Sequence, residues 1–134
     1  QAKKVLSRFG IPNERILFVG HVGEGEDTLW MTRADVSVMG GAVGLALNVS
    51  MSCGTPTIIP DERGSDAELL EDTVNGIRFI PGNRRDLSNK LKSLLESEKL
   101  RRGLGIKARE TIIQKATVSK MVDGLQEAVL GGTT

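Results

Sequence analysis

The sequence contains no tyrosine and only four aromatic residues, Phe9, Phe18, Trp30 and Phe79, too few to build a stacking platform for single-stranded bases. Its single cysteine, Cys53, excludes an internal disulfide framework and a thiolate cluster, and a chain of this kind is expected in the cytoplasm. Cys53 sits in an apolar stretch with no local base, which predicts burial as a small hydrophobe. With one histidine besides, His21, no metal-ligand spacing exists. There is no charge excess of either sign: 18 Lys plus Arg stand against 17 Asp plus Glu. A net charge of +1 gives no electrostatic case for duplex nucleic acid or an anionic membrane surface. The Gly-x-Ser-x-Gly elbow of a serine hydrolase is also missing. From Val36 to Pro60 no charged residue occurs, but Gly40, Gly41, Gly44, Asn48, Ser50, Ser52 and Pro56 interrupt the apolar run. It reads as a buried strand-helix-strand rather than a membrane span. No initiator Met and no apolar signal core open the chain at Gln1, so this end reads as cleaved or truncated.

What is present is one ordinary core. The length of 134 residues, with 39% hydrophobic and 26% charged residues, matches a single soluble globular domain spanning 1–134. Ala2, Val5, Leu6 and Phe9 fall at helical spacing and predict a helix over 2–9, closed by Gly10. Ile16 to Val19 reads as a strand. Asp27 is the expected cap of a helix to Arg33. Strands follow at 36–39, 57–59 and 77–80, with an apolar helix over 43–53 and a short helix over 68–71 capped by Asp66. Asn75-Gly76 marks a turn. Three helices close the chain: one from near Asn83, one capped by Ser97 and one capped by Thr117. Arg84-Arg85 and Arg101-Arg102 read as solvated helix residues.

Four continuous apolar strands separated by helices predict α/β architecture, a doubly wound Rossmann-like parallel sheet of about four strands with helices on both faces. In such sheets ligands bind beyond the carboxyl ends of the strands. The informative loop is Gly40-Gly41-Ala42-Val43-Gly44-Leu45, three glycines leading into an uncharged helix. Free N–H groups and the helix dipole attract phosphate there, and glycine permits close approach. A tight turn with close helix packing is the other reading of the same residues. Beside it stand His21, just past a strand end, either a ligand contact or an exposed loop residue, and the acidic loop Asp61 to Glu68, whose carboxylates either accept bonds from sugar hydroxyls or are solvated.

In order along the chain, Arg15-Ile-Leu-Phe-Val-Gly20, Ala34-Asp-Val-Ser-Val38, Gly44-Leu45, Met51-Ser-Cys-Gly-Thr-Pro56, Asn75-Gly76 and Pro81-Gly82 resemble the C-terminal, donor-binding half of group 1 retaining glycosyltransferases of the two-domain GT-B fold. The resemblance runs from about Gly10 to Val129. It implies a metal-independent enzyme that takes a nucleotide-diphosphate sugar, UDP- or GDP-linked, in polysaccharide biosynthesis, with no further cofactor. It implies that Gly41, Ala42, Val43, Gly44 and Leu45 bind the donor, with the backbone N–H groups at Gly44 and Leu45 holding its diphosphate, that Val19, Gly20 and His21 lie near the base, and that Glu68 is the acid of the loop after the Gly-x-Pro strand. The family's Glu-x7-Glu pair falls on Gly41 and Val49, so both carboxylates are missing, as in the variant pattern Pro-Gly-x-Val-Gly-Leu that this chain matches with Gly40 in place of Pro.

The resemblance further implies that the acceptor site, any base and the Arg and Lys that clamp the diphosphate belong to an N-terminal half upstream of Gln1, as does any peripheral membrane contact. No catalytic residue is expected in this stretch, only donor binding. The first strands of the complete domain are expected to be missing, with 16–19 at the far edge of the sheet and two absent strands between it and 36–39. Two alternatives remain: a non-catalytic domain that kept the fold and lost the ligand, and a sugar-nucleotide epimerase.

Overall fold

The computed structural model describes residues 4, 7–10, 12–23, 25–41, 43–62 and 68–131. After a short 3-10 turn at Asn13–Arg15, the elements are α1 (Glu26–Arg33), β1 (Ser37–Val38), α2 (Gly44–Ser52), β2 (Thr57–Pro60), β3 (Ile77–Phe79), α3 (Arg84–Glu96), α4 (Glu98–Lys115) and α5 (Val118–Gly131). The strands form one parallel sheet in the order β1-β2-β3. Parallel pairing sends every strand's carboxyl end to the same side.

The sheet is narrower than the sequence predicts. Residues 16–20 form no strand, and Leu17, Phe18 and Val19 are 71%, 50% and 46% exposed. An apolar run with no neighbouring strand to satisfy its N–H and C=O groups does not become a strand. Three strands rather than four are therefore seen among the described residues. Of the expected opening helix, Lys4, Ser7 and Arg8 are helical and Gly10 ends the segment at φ 64; the rest lies outside the described residues.

β2 is buried along its whole length, as the central strand of a covered sheet should be. Its alternating side chains feed two cores. Ile59 joins Leu47, Met51, Leu70 and Ala108 on one face, and Ile58 joins Ile77, Phe79, Leu94 and Leu104 on the other. α4 supplies Ala108 to the first cluster and Leu104 to the second, so this one helix serves both cores. Ser50 and Thr57, both fully buried, satisfy each other at 2.7 Å, and the Thr55 hydroxyl donates to the Met31 carbonyl at 2.6 Å, tying α1 to the start of β2.

Several ends are set by the residues the sequence named. Asn83 Oδ1 accepts from the Asp86 N–H at 3.0 Å, Ser97 Oγ from the Leu100 N–H at 3.2 Å, and Thr117 Oγ1 from the Lys120 N–H at 3.4 Å. Others differ. The cap of α1 falls two residues earlier than expected, on Gly25 at φ 88, and Asp27 accepts from the Thr28 N–H inside the first turn instead of capping. The predicted helix at 68–71 is a single turn at 68–69, and its expected cap, Asp66, lies outside the described residues. Arg101 is not merely solvated: it donates to the Leu94 and Leu95 carbonyls and so caps the end of α3. Cys53 is only partly buried, with Sγ 3.9 Å from the Thr28 carbonyl oxygen. α5 buries none of its residues. Among the described residues no helix is long and apolar enough to cross a membrane.

Candidate functional site

The carboxyl ends of β1, β2 and β3 deliver three stretches to one side of the sheet: Met39–Gly41, Asp61–Glu62 and Ile80–Pro81. The first leads into α2. Gly40 and Gly41 are exposed, and β-carbons built on them would meet nothing within 4 Å. The same holds for Gly44, whose φ of 43 lies in the left-handed region that favours glycine. No described residue occupies the space in front of this turn, so among the described residues close packing of the helix against a neighbour does not explain the glycines.

Among the described residues the start of α2 has no capping partner. Its cap residue, Val43, provides no side-chain hydrogen bond, and its first turn holds no acidic residue. The first intrahelical bond in this region runs from the Leu47 N–H to the Val43 carbonyl at 3.3 Å, which leaves the Gly44, Leu45 and Ala46 N–H groups ahead of it without an intrahelical acceptor. Leu45 is 80% exposed. A helix start of this kind carries a partial positive charge and directed donors, and the whole of α2 lacks a charged residue that would oppose an anion. Ala42 lies outside the described residues.

The residues that follow the acidic loop reach the same apolar core. Leu70 is part of the cluster containing Leu47 and Met51 of α2, and Met39, Val43 and Leu69 pack against that cluster. Residues flanking the glycine loop and residues directly following Glu68 thus share one hydrophobic surface. Glu68 is exposed. The loop is anchored at both ends by Arg78 of β3, which pairs with Asp61 at 3.6 Å and donates to the Leu70 carbonyl at 2.7 Å. Gly76 at the return turn has no room for a side chain, because a β-carbon there would overlap Leu70.

Val19, Gly20 and His21 are exposed and make no hydrogen bond to another described residue. Residues flanking the glycine loop and residues following Glu68 meet in one apolar cluster, and among the described residues Val19, Gly20 and His21 are tied to neither. Gly41 and Val49 hold the two positions where the acid pair is expected; Gly41 is exposed and Val49 half-buried on α2. Among the described residues no group of three or more His, Cys, Asp or Glu could hold a metal ion.

Sequence reasoning missed the residues that hold this loop. Arg78 lies inside a strand with no signal of its own, and Asn75 carries only the signal of a turn residue. The pairing of an inward Asn with a Gly that cannot carry a side chain is the available signal.

At the other end of the sheet's open side, Asp86 Oδ2 accepts from the Ile80 N–H at 2.7 Å and from Lys90 Nζ at 3.2 Å. The bond from the Ile80 N–H, the largest influence, holds the Asp86 carboxyl below the ordinary carboxylate range; desolvation opposes it, and the Lys90 contact adds to the lowering.

The sequence pattern of the family described as glycosyl transferases group 1 matches residues 4–111. No match is found among curated proteins. Among solved structures, the chain is similar to HepE of Anabaena in complex with UDP, with a TM-score of 0.86 at 21% identity, covering 97% of this chain and 36% of that one. It is similar to a sucrose-phosphate synthase of Thermosynechococcus elongatus, with a TM-score of 0.84 at 20% identity, covering 99% of this chain and 34% of the other. It is also similar to the C-terminal domain of LpcC from Francisella tularensis, with a TM-score of 0.74 at 20% identity, covering 87% and 60% of the two chains. The chain therefore spans about a third of the length of the first two structures.

Proposed function

The chain belongs to the group 1 glycosyl transferases, and from that membership we propose that residues 1–134 are the donor-binding part of an enzyme that moves a sugar from a nucleotide-diphosphate sugar to an acceptor. The observation that carries the reading is the uncapped, uncharged start of α2 facing the open space in front of Gly44. In this account the donor diphosphate accepts hydrogen bonds from the N–H groups at Gly44 and Leu45, with Gly41, Ala42 and Val43 forming the turn that lets it approach. Glu68 accepts bonds from hydroxyls of the donor sugar. Val19, Gly20 and His21 lie beside the nucleoside.

The chemistry follows from charge. Breaking the bond between the sugar's anomeric carbon and the diphosphate oxygen develops negative charge on the leaving diphosphate. Donors already oriented at a helix start stabilise that charge without reorganising, and the helix end itself contributes on the order of 0.3–2 kcal/mol. The remaining positive charge, the acceptor and any base come from parts of the protein outside this chain, which is why the 134 residues alone are expected to transfer no sugar. The missing acids at Gly41 and Val49 favour a second reading, a domain of this fold that no longer binds donor.

Isothermal titration of the full-length protein with UDP and with GDP tests the proposal. Binding of one of the two supports it, and the UDP in the HepE structure makes UDP the first to try. Binding of neither points to the non-catalytic domain.

A further inference from the structure

Glu68 is exposed and makes no hydrogen bond to another described residue, so the backbone that carries it must set its position. Besides the Arg78 bond to the Leu70 carbonyl, one buried side chain grips that backbone. Asn75 is only 3% exposed, and its amide is fully engaged. Asn75 Oδ1 accepts from the Glu71 N–H at 2.7 Å, while Nδ2 donates to the Leu69 carbonyl at 2.9 Å and to Thr111 Oγ1 at 2.9 Å. Thr111 is in turn fixed on α4 by donating to the Lys107 carbonyl at 2.9 Å. A continuous chain of hydrogen bonds therefore runs from the long helix α4, through a buried amide, to the residue next to Glu68.

The turn bearing Asn75 is held against its own preference. Thr73, a β-branched residue, sits at φ 64, a conformation such side chains avoid unless the surroundings dictate it. The bond from the Thr73 N–H to the Gly76 carbonyl and the one from the Arg78 N–H to Asp72 Oδ1 hold the turn shut on both sides. A turn that only reversed the chain would need neither the buried amide nor the link to α4.

From this geometry we infer that Asn75, anchored by Thr111, is a positioning residue that fixes Glu68 for the hydroxyls of the donor sugar. The inference rests on the donor-binding reading of Glu68. Because Glu68 meets the sugar and not the diphosphate, loosening the Asn75 clamp weakens binding of a nucleotide sugar and leaves binding of the bare nucleotide unchanged.

The experiment uses the full-length protein and the variants Thr111→Val, Asn75→Ala, Glu68→Gln and Thr111→Val combined with Glu68→Gln. UDP and UDP-glucose are titrated into each, or GDP and GDP-mannose where the wild type prefers GDP. Thr111→Val nearly preserves side-chain shape and removes the anchor. It is expected to weaken UDP-glucose binding about tenfold while UDP binding stays within about twofold; Glu68→Gln does the same, and the double variant loses no more than either single one. Equal losses for UDP and UDP-glucose, or additive losses in the double variant, overturn the inference. A wild type that binds neither nucleotide refutes the donor-binding reading instead, and amide hydrogen exchange then decides the clamp. Faster exchange at Glu71 in Asn75→Ala, with the amides of β2 unaffected, supports it; unchanged exchange at Glu71 overturns it.

Discussion

Gly54 and Gly105 meet backbone against backbone: a β-carbon placed on Gly105 would overlap the Gly54 carbonyl oxygen. Gly54, at φ 71, ends α2 and turns the chain into β2, while Gly105 is buried in the middle of α4. A glycine inside a helix ordinarily weakens it. Here it lets α4 lie directly on the turn that fixes the register between α2 and the central strand. Gly105→Ala is therefore expected to destabilise the domain by roughly 1–3 kcal/mol despite its better helix propensity, whereas Gly103→Ala, with open space around it, leaves stability unchanged or raises it. Chemical denaturation of both variants checks this; equal behaviour of the two would contradict the contact.

Thr73 provides the opposite case. Its φ of 64 suits Asn far better than a β-branched residue, and its side chain is exposed. Thr73→Asn should raise stability by roughly 0.5–1 kcal/mol, measurable as a higher denaturation midpoint.

Much of the fold was legible in the sequence because its signals are local. Asn83, Ser97 and Thr117 cap as their residue types predict, and the uninterrupted apolar run of β2 announces a strand buried on both faces. Residues 16–19 were misread for a reason that sequence cannot supply: apolarity marks a strand candidate, but only a partner makes a strand. In the candidate site, the glycine pattern at 40–44 was legible as a backbone requirement. Asn75 was not, because its role depends on Thr111, far away in the chain and brought near only by the packing of α4.

The linkage of Asp86 to pH has a definite sign. Its carboxyl is held below its ordinary range first by the Ile80 N–H and then by Lys90. A carboxylate depressed in the folded state stabilises the fold above its unfolded pKa and loses that contribution as the pH falls through its folded pKa. Asp86→Asn should therefore be less stable than wild type at pH 7, with the gap closing as the solution is acidified through the carboxylate range. A gap that stays constant with pH would show that charge at Asp86 does not matter.

Gly44→Val separates the site from the fold. The open space around Gly44 accommodates the side chain, and the left-handed backbone there costs roughly 1–3 kcal/mol. The variant should remain folded, with a lowered denaturation midpoint, and lose nucleotide binding because the side chain occupies the place of the diphosphate. Unchanged nucleotide affinity in a folded Gly44→Val protein would remove this turn from the site.

The central claim is that the start of α2 receives the donor diphosphate. A crystal structure of the full-length protein with the nucleoside diphosphate that binds it tests this directly. The account predicts diphosphate oxygens about 2.7–3.1 Å from the Gly44 and Leu45 nitrogens, with the Glu68 turn bordering the same cleft. A diphosphate bound elsewhere, with those N–H groups left to solvent, would contradict it.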